Sequence, residues 1–395
     1  MTATGRIAIV GGGVAAQRCA FKLRELGFAG AIELIGQEHE APYDRTLLSK
    51  DMLTGADRME PVSLRPRDDY AAAGIALRLG VRAVGLRADA RELVLDDGSE
   101  LGFEKLVICS GGRPFVPQAL RCPGVLTLRE LADLARLDDA LERVRHLVVV
   151  GAGFVGCELA AAAVARNAPV TLVEAAAGPL APLFGEAVAE RVAALHRTAG
   201  VRVVCGTPVL GIERTADGFS VALADRPPLR ADAVVVGVGM QPNVDWLHDS
   251  PVALDDGVLT DACCRTNVPG VLAAGDCARW LNPRYGARMR VEHWDTAAHH
   301  GEAAAVNALG GDEPFAPVPF FWSDQHGAKL QWVGHAPAWD ELERCDEDAA
   351  GLEVRYRTAG QLGGVLCIDR PKALVRARKE LLAMELKEAS LTCHA

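Results

Sequence analysis

The chain has 395 residues, of which 50% are apolar and 24% charged, and its formal net charge is −10 at neutral pH. That length accommodates two or three domains with full cores, and the acidic balance argues against nucleic acid as the main partner. No uninterrupted apolar run reaches the roughly 18 residues of a membrane span, and the N-terminus enters the first apolar segment directly, leaving no room for a signal peptide.

The eleven cysteines are scattered singly, apart from the neighbours Cys263 and Cys264, with no CxxC or CxxxxC spacing. They read as reduced small residues of a cytoplasmic protein, not as a zinc ribbon or a redox-active disulfide.

In chain order, residues 7–10 are an apolar strand, and Gly11-Gly12-Gly13-Val14-Ala15-Ala16 follows with GxGxxA spacing. Residues 17–26 are amphipathic, and residues 32–35 form a second strand that leads to Gln37 and Glu38. This is the frame of a dinucleotide-binding βαβ unit. A Pro-Tyr-Asp-Arg turn opens residues 42–50, and residues 77–83 and 91–95 alternate like the strands of a hairpin. Residues 105–109 read as a further buried strand, ending at Ser110-Gly111-Gly112-Arg113-Pro114. The chain then leaves this unit near residues 117–123 and continues through a charged helix over residues 126–144.

The same construction recurs at residues 147–174. The four apolar residues 147–150 are too few for a helix and read as a buried parallel strand. Gly151, Gly153 and Gly156 then stand at GxGxxG spacing. In such a turn the first glycine permits the tight bend, the second admits a pyrophosphate and the third lets the helix pack on the strand. The Ala-rich helix from Glu158 to Arg166 aims its N-terminus at the phosphates. The next strand, residues 170–173, ends at Glu174, where a carboxylate bonds a ribose hydroxyl.

Two dinucleotide folds in one chain imply two nucleotides, and a flavin and a nicotinamide form the pair between which hydride passes. The second fold runs to residues 233–238 and the segment Gly239-Met240-Gln241-Pro242-Asn243. Residues 266–276 return to the first unit and deliver Asp276 at the C-terminal end of a strand, where ligands of open α/β sheets sit. Residues 292–309 read as a helix, and a Pro-rich break at 314–319 precedes a third region with strands near 330–333, 352–356 and 364–368 and a helical tail.

The succession GxGxxA, Pro-Tyr-Asp-Arg with Leu-Ser-Lys, GxGxxG with Glu, Gly-Met-Gln-Pro-Asn, Ala-Ala-Gly-Asp, Glu-His-Trp and Phe-Trp-Ser-Asp-Gln resembles the FAD-dependent, NADH-oxidising ferredoxin reductases. These are the reductase components of bacterial dioxygenase and cytochrome P450 systems, related to rubredoxin reductases and apoptosis-inducing factor. The resemblance spans residue 6 to about residue 380. It implies an α/β protein with two Rossmann-like domains of the glutathione-reductase type and a small C-terminal α/β domain. The FAD domain would comprise residues 1–118 and 246–316, the NAD domain 119–245 and the C-terminal domain 317–395.

For FAD the resemblance implies Gly11, Gly13, Val14, Ala15 and Ala16 around the pyrophosphate, and Arg45 and Lys50 by the flavin. It further implies Ala83, Arg129 and Gly275 as contacts, Asp276 on the ribityl chain, and Trp294 and Trp322 against the isoalloxazine. For NAD it implies Gly151, Gly153, Val155, Gly156, Glu174 and Gly237, with Glu158 near the nicotinamide. Lys50, Glu158 and Trp322 would be the catalytic residues. Residues 175–177 are all alanine, so no arginine is there to pair with a 2′-phosphate, and NADH is expected over NADPH. Gln37 stands where the family often has an acid, and Glu38 beside it is the candidate for the FAD ribose. Cys109-Ser110-Gly111 replaces the more usual Ala-Thr-Gly, and the tail from Met384 is unlike the family's.

The implied reaction passes hydride from NADH to the flavin and releases electrons singly to an iron–sulfur ferredoxin. A disulfide reductase would need CxxxxC in the first unit, where only Cys19 occurs, and a coenzyme A disulfide reductase or peroxide-reducing oxidase would need a cysteine near residues 40–50. Because ferredoxins are acidic, docking calls for a local basic patch. Two are available: Arg279, Arg284, Arg288 and Arg290, and Arg370, Lys372, Arg376, Arg378 and Lys379. His293, His299 and His300 lack an accompanying ligand pattern, and no metal is expected. A reductase of a quinone or monodehydroascorbate, and a redox-sensing flavoprotein of the apoptosis-inducing-factor type, remain as alternatives.

Overall fold

Five short strands set the first layer. In the computed structural model, which describes residues 5–54, 63–348 and 351–384, strand Arg6–Val10 lies at the centre of a five-stranded parallel sheet. Its neighbours are Ala31–Gly36 on one side and Lys105–Ile108 on the other, with Ile75–Leu79 and Val271–Ala273 at the edges. Ile7, Ala8, Ile9 and Val10 are all buried, as the continuous apolar run of a parallel strand covered on both faces requires. Helices Val14–Glu25 and Trp294–Ala308 cover one face, crossing closely at Gly301, where a Cβ would stand 2.1 Å from the Ala15 carbonyl oxygen. That close crossing draws the N-terminus of the second helix, and Trp294 with it, towards the glycine turn.

The second nucleotide fold repeats the plan with four parallel strands in the order Arg202–Val204, Val170–Val173, Leu147–Val150, Ala233–Val236. Helix Phe154–Ala165 follows the central strand, and its buried glycine and alanines let it lie flat on the sheet. A three-stranded antiparallel sheet of Val209–Thr215, Gly218–Leu223 and Arg226–Ala231 flanks it. The chain passes between the two units on paired strands, Gly112–Pro114 against Met240–Pro242.

The third layer is a five-stranded antiparallel sheet in the order Phe320–Gln325, Ala328–Gly334, Gln361–Ile368, Gly351–Thr358, Glu341–Asp348. Helix Pro371–Leu382 packs Ala373, Leu374, Ala377 and Leu381 on one face. The other face packs Leu330, Trp332, Leu352, Val354 and Tyr356 with Phe184 and Val188 of the second nucleotide fold in one continuous core. Burying each such large side chain contributes on the order of 2 kcal/mol, so this face is fixed to the second fold.

Several expectations change. Residues 77–83 are not one strand: Ile75–Leu79 belongs to the parallel sheet, the chain turns at Gly80, and the hairpin pairs Ala83–Arg87 with Glu92–Leu95. The helix expected over residues 126–144 spans Leu131–Leu141, because Glu130 and Asp133 form a capping box that starts it late. The last helix ends at Leu382, and residues beyond Met384 lie outside the described part. Nine described cysteines carry free thiols, but Cys263 is disulfide-bonded and so departs from the expectation that all are reduced.

Candidate functional site

The glycine turns create the site. Gly11 has φ +141°, and a Cβ there would lie 2.0 Å from the Cys109 carbonyl oxygen, so only glycine lets strand Lys105–Ile108 approach the turn. Gly13 faces open space, and helix Val14–Glu25 begins with no side-chain cap on its N–H groups. Free N–H groups and the positive end of the helix form a ready anion site. At the second turn a Cβ on Gly156 would meet the Gly151 carbonyl oxygen at 1.9 Å, Gly153 is open, and helix Phe154–Ala165 is likewise uncapped.

Beside the first turn lies a trench made of two cavities. The larger, about 590 Å³, is walled by Gly11, Gly13, Gln37, Glu38, Ala83 and Arg113 among others; the smaller, about 260 Å³, by Val14, Ala15, Lys50, Asp276, Trp294 and Trp322 among others. Gly13, Arg45, Gly111 and Arg129 wall both, so the two are continuous. Phe154, Val155 and Glu158, from the first turns of the second fold's helix, also face the smaller cavity. The two nucleotide folds therefore open onto one space.

Ion pairs fix its walls. Lys50 Nζ lies 2.9 Å from Glu158 Oε1 and 3.2 Å from the Thr46 carbonyl oxygen. An ammonium has three N–H groups, so one remains for a ligand in the cavity. Ser49 donates to Glu158 Oε2 at 2.5 Å and Ser323 to Oε1 at 2.6 Å. Arg129 meets Asp276 at 3.0 Å. Arg45 pairs with Glu38 at 2.5 Å and donates to the Tyr43 hydroxyl and the Arg129 carbonyl. Glu38, which also accepts from Tyr43 at 2.6 Å, is thus engaged within the protein, while Gln37 donates to Glu130 at the cavity edge.

The aromatic rim is stepped. Trp322 stacks on Phe320 at 6.0 Å and meets Trp294 edge-on at 6.4 Å. His293 leans on Phe321 at 4.6 Å, and burial lowers its pKa to about 3, which keeps the ring neutral. His293 Nδ1 and Trp294 Nε1 are buried without a hydrogen-bond partner among the described residues, and both residues line the smaller cavity. Polar atoms so placed fit a ligand with its own donors and acceptors. The open glycines, the uncapped helix starts and these two atoms together match a flavin dinucleotide lying along the trench.

In the second fold Glu174 accepts from the N–H groups of Ala152 at 2.6 Å and Ala176 at 2.9 Å, which holds its carboxylate beside the GxGxxG turn. Gly237 packs against Gly151 there. Ala16 is fully buried and walls neither cavity, so its small size serves packing. His300 accepts from the Gly275 N–H at 3.2 Å and stays buried, whereas His299 is exposed. Sequence reasoning passed over Ser49, Ser323, Gln325 and Tyr43. Ser323 and Gln325 carried a signal, since alternate polar residues in an aromatic strand share a face.

The basic clusters differ. Arg279 pairs with Asp255, Arg284 donates to the carbonyls of Leu381, Leu382 and Met384, Arg288 bonds the Thr260 carbonyl, and Arg290 pairs with Asp256 and Glu292. Each of these four is bonded within the protein, while Arg288 is also exposed. In the second cluster Arg370 pairs with Asp348, Arg376 with Glu353 and Arg378 with Asp295, while Lys372, Arg376, Arg378 and Lys379 are exposed along one helix, with Arg378 over the Phe320 ring.

Residues 5–301 match the pyridine nucleotide-disulphide oxidoreductase family, and residues 320–391 match the reductase C-terminal family. The chain is 38% identical to the p-cumate 2,3-dioxygenase system ferredoxin–NAD(+) reductase component of Pseudomonas putida, over 95% of this chain and 92% of that protein. The chain belongs to the ferredoxin reductase branch of the pyridine nucleotide-disulphide oxidoreductases. Within that branch it is also 38% identical to the anthranilate 1,2-dioxygenase system reductase component of Burkholderia cepacia, over 82% of this chain and 81% of that one. Its fold superposes on the reductase in the covalent putidaredoxin reductase–putidaredoxin complex with a TM-score of 0.92 at 31% identity, covering 97% of this chain and 94% of that chain. Enzymes of this family use FAD and a pyridine nucleotide. Among the described residues no helix is long and apolar enough to cross a membrane.

Proposed function

We propose that the protein is a flavoprotein ferredoxin reductase that oxidises NADH and reduces an iron–sulfur ferredoxin serving an oxygenase or a cytochrome P450. One observation carries this reading: the helix that follows GxGxxG brings Phe154, Val155 and Glu158 to the same cavity as Val14 and Ala15 of the first turn. A nicotinamide held by the second fold would reach a flavin held by the first. Bound FAD supplies the redox chemistry, accepting hydride and giving up electrons one at a time.

The chain's own residues bind and orient. Gly11, Gly13, Val14 and Ala15 would hold the pyrophosphate, Asp276 and Arg129 the ribityl side, and Trp294 and Trp322 would flank the ring. Lys50, with one N–H free, would place a positive charge beside the flavin, where charge develops during reduction. Glu158 would hold that lysine in place. Gly151, Gly153, Val155, Gly156 and Gly237 would seat NADH. Glu174, fixed by two backbone N–H groups, would take the adenosine ribose and disfavour a 2′-phosphate. We assign residues 1–118 and 246–316 to the FAD domain, 119–245 to the NAD domain and 317–395 to the C-terminal domain.

For the acceptor, the relatives' names support a ferredoxin, and Arg378, on the same helix as the exposed Lys372, Arg376 and Lys379, lies over the Phe320 ring of the rim. A cytoplasmic location is part of this proposal; the nine free thiols favour it and the disulfide at Cys263 does not. The test is NADH-driven cytochrome c reduction with a panel of ferredoxins. The proposal expects turnover to depend on both NADH and one ferredoxin, and turnover that no ferredoxin stimulates would reject it.

A further inference from the structure

The Glu158 carboxylate is also the inner end of a buried polar chain with no part in the function proposed above. Ser323 Oγ accepts from Gln325 Nε2 at 3.1 Å, Gln325 Oε1 lies 3.2 Å from His196 Nε2, and His196 Nδ1 lies 3.0 Å from His326 Nε2. Ser323, Gln325 and His196 are fully buried and His326 is half-buried. The chain joins helix Phe154–Ala165, the first hairpin of the C-terminal sheet and helix Ala181–Thr198.

Only one direction of donation satisfies every link. A carboxylate can only accept, so the single Ser323 proton goes to Glu158. Ser323 must then accept from the Gln325 amide nitrogen, which turns the Gln325 oxygen towards His196. That oxygen requires the His196 proton on Nε2, which leaves Nδ1 as the acceptor for His326 Nε2–H. Burial lowers the His196 pKa to about 4, so the ring is neutral near pH 7, as this order demands.

The outer end is held at a conformational cost. His326 (φ +50°) and Gly327 (φ +82°) form the two-residue turn between Phe320–Gln325 and Ala328–Gly334. Such turns favour Asn-Gly or Asp-Gly, because both residues are left-handed. A histidine is retained there with its ring edge-on to His196, centroids 4.6 Å apart.

We infer that His196 and His326 are positioning residues for hydride transfer: through Gln325 and Ser323 they hold the Glu158 carboxylate, and with it the Lys50 ammonium, in one orientation beside the flavin. The inference rests on the function proposed above.

His326→Asn separates fold from function, because Asn-Gly suits the turn while the outer link is lost. Two measurements are made on the FAD-loaded protein: the nitrogen-15 spectrum of labelled histidines without NADH, and the rate of flavin reduction by NADH under anaerobic rapid mixing. The expected result is His196 as the pure Nε2–H tautomer in the wild type and a mixture of tautomers in His326→Asn. The variant's melting temperature should hold or rise while flavin reduction slows about fivefold, the effect of one hydrogen bond, at unchanged half-saturating NADH. His196→Gln, which keeps a donor to Gln325, should reduce faster than His196→Leu. A wild-type His196 protonated on Nδ1, or wild-type reduction rates in His326→Asn and His196→Leu, would overturn the inference. A wild-type flavin that NADH does not reduce would instead overturn the proposed function, and the tautomer spectrum, which needs no NADH, would still decide the hydrogen-bond order.

Discussion

Lys50 and Glu158 lie 108 residues apart in sequence, yet their charged groups meet at 2.9 Å, one from each nucleotide-binding fold. Both are nearly buried, with side-chain exposures of 13% and 5%, so removing either partner leaves the other's charge unpaired in a poorly solvated place. The pair is both the seam between the folds and the electrostatic setting of the flavin.

Opposite changes to this pair should move the flavin potential in opposite directions. Reduction adds negative charge, so Lys50→Met should lower the two-electron midpoint potential and Glu158→Gln should raise it. A change of ~1.4 kcal/mol corresponds to ~30 mV for a two-electron couple, and shifts of at least that size are expected. Dye-equilibrated reductive titration of each holoprotein measures them.

Nucleotide choice should follow Glu174. Glu174→Gln is expected to raise the KM for NADH about tenfold, the effect of weakening a charge-assisted bond to the ribose. Adding Ala175→Arg, at an exposed position beside it, should turn the preference towards NADPH. Steady-state ferricyanide reduction with both nucleotides reads this out.

Charge reversal at Arg376 and Arg378 should raise the KM for ferredoxin and leave ferricyanide reduction unaltered, because the small acceptor needs no docking surface. The ferredoxin effect should weaken as salt screens the charges. Equal loss with both acceptors would reject the patch.

Buried histidines, His196 and His300 among them, should make the fold acid-sensitive. Burial lowers the pKa of His196 to about 4 and of His300 to about 3, against an ordinary value near 6.5. In that interval the unfolded chain binds protons that the folded chain does not. Their stabilising contribution is therefore complete above pH ~6.5 and declines as pH falls towards 4, by up to ~3 kcal/mol each. Melting curves between pH 7.5 and 5 should show this decline, and His196→Gln should flatten it.

How much was legible depended on how local the signal was. The strands at residues 7–10 and 147–150 announce themselves as apolar tetrads before glycine turns, and the paired GxGxx spacings predicted two nucleotide units. Strand Glu341–Asp348 was missed because it is a charged edge strand, bonded only to Gly351–Thr358. The late start of helix Leu131–Leu141 was missed because the preceding segment is used otherwise: Leu126 bridges to Val235 and Arg129 reaches Asp276. Arginine clustering in sequence suggested a patch around Arg284, but the Met384 carbonyl that its guanidinium fastens lies 100 residues away. The link from His196 to His326 has no sequence signature, since it depends on how one hairpin meets one helix across 130 residues.

The most direct test of the account is an anaerobic titration of the purified, FAD-loaded protein with NADH, followed by the visible flavin absorbance. Complete bleaching at one NADH per flavin is expected, with much slower bleaching by NADPH. Protein that binds no FAD on reconstitution, or bound flavin that neither nucleotide bleaches, would contradict it.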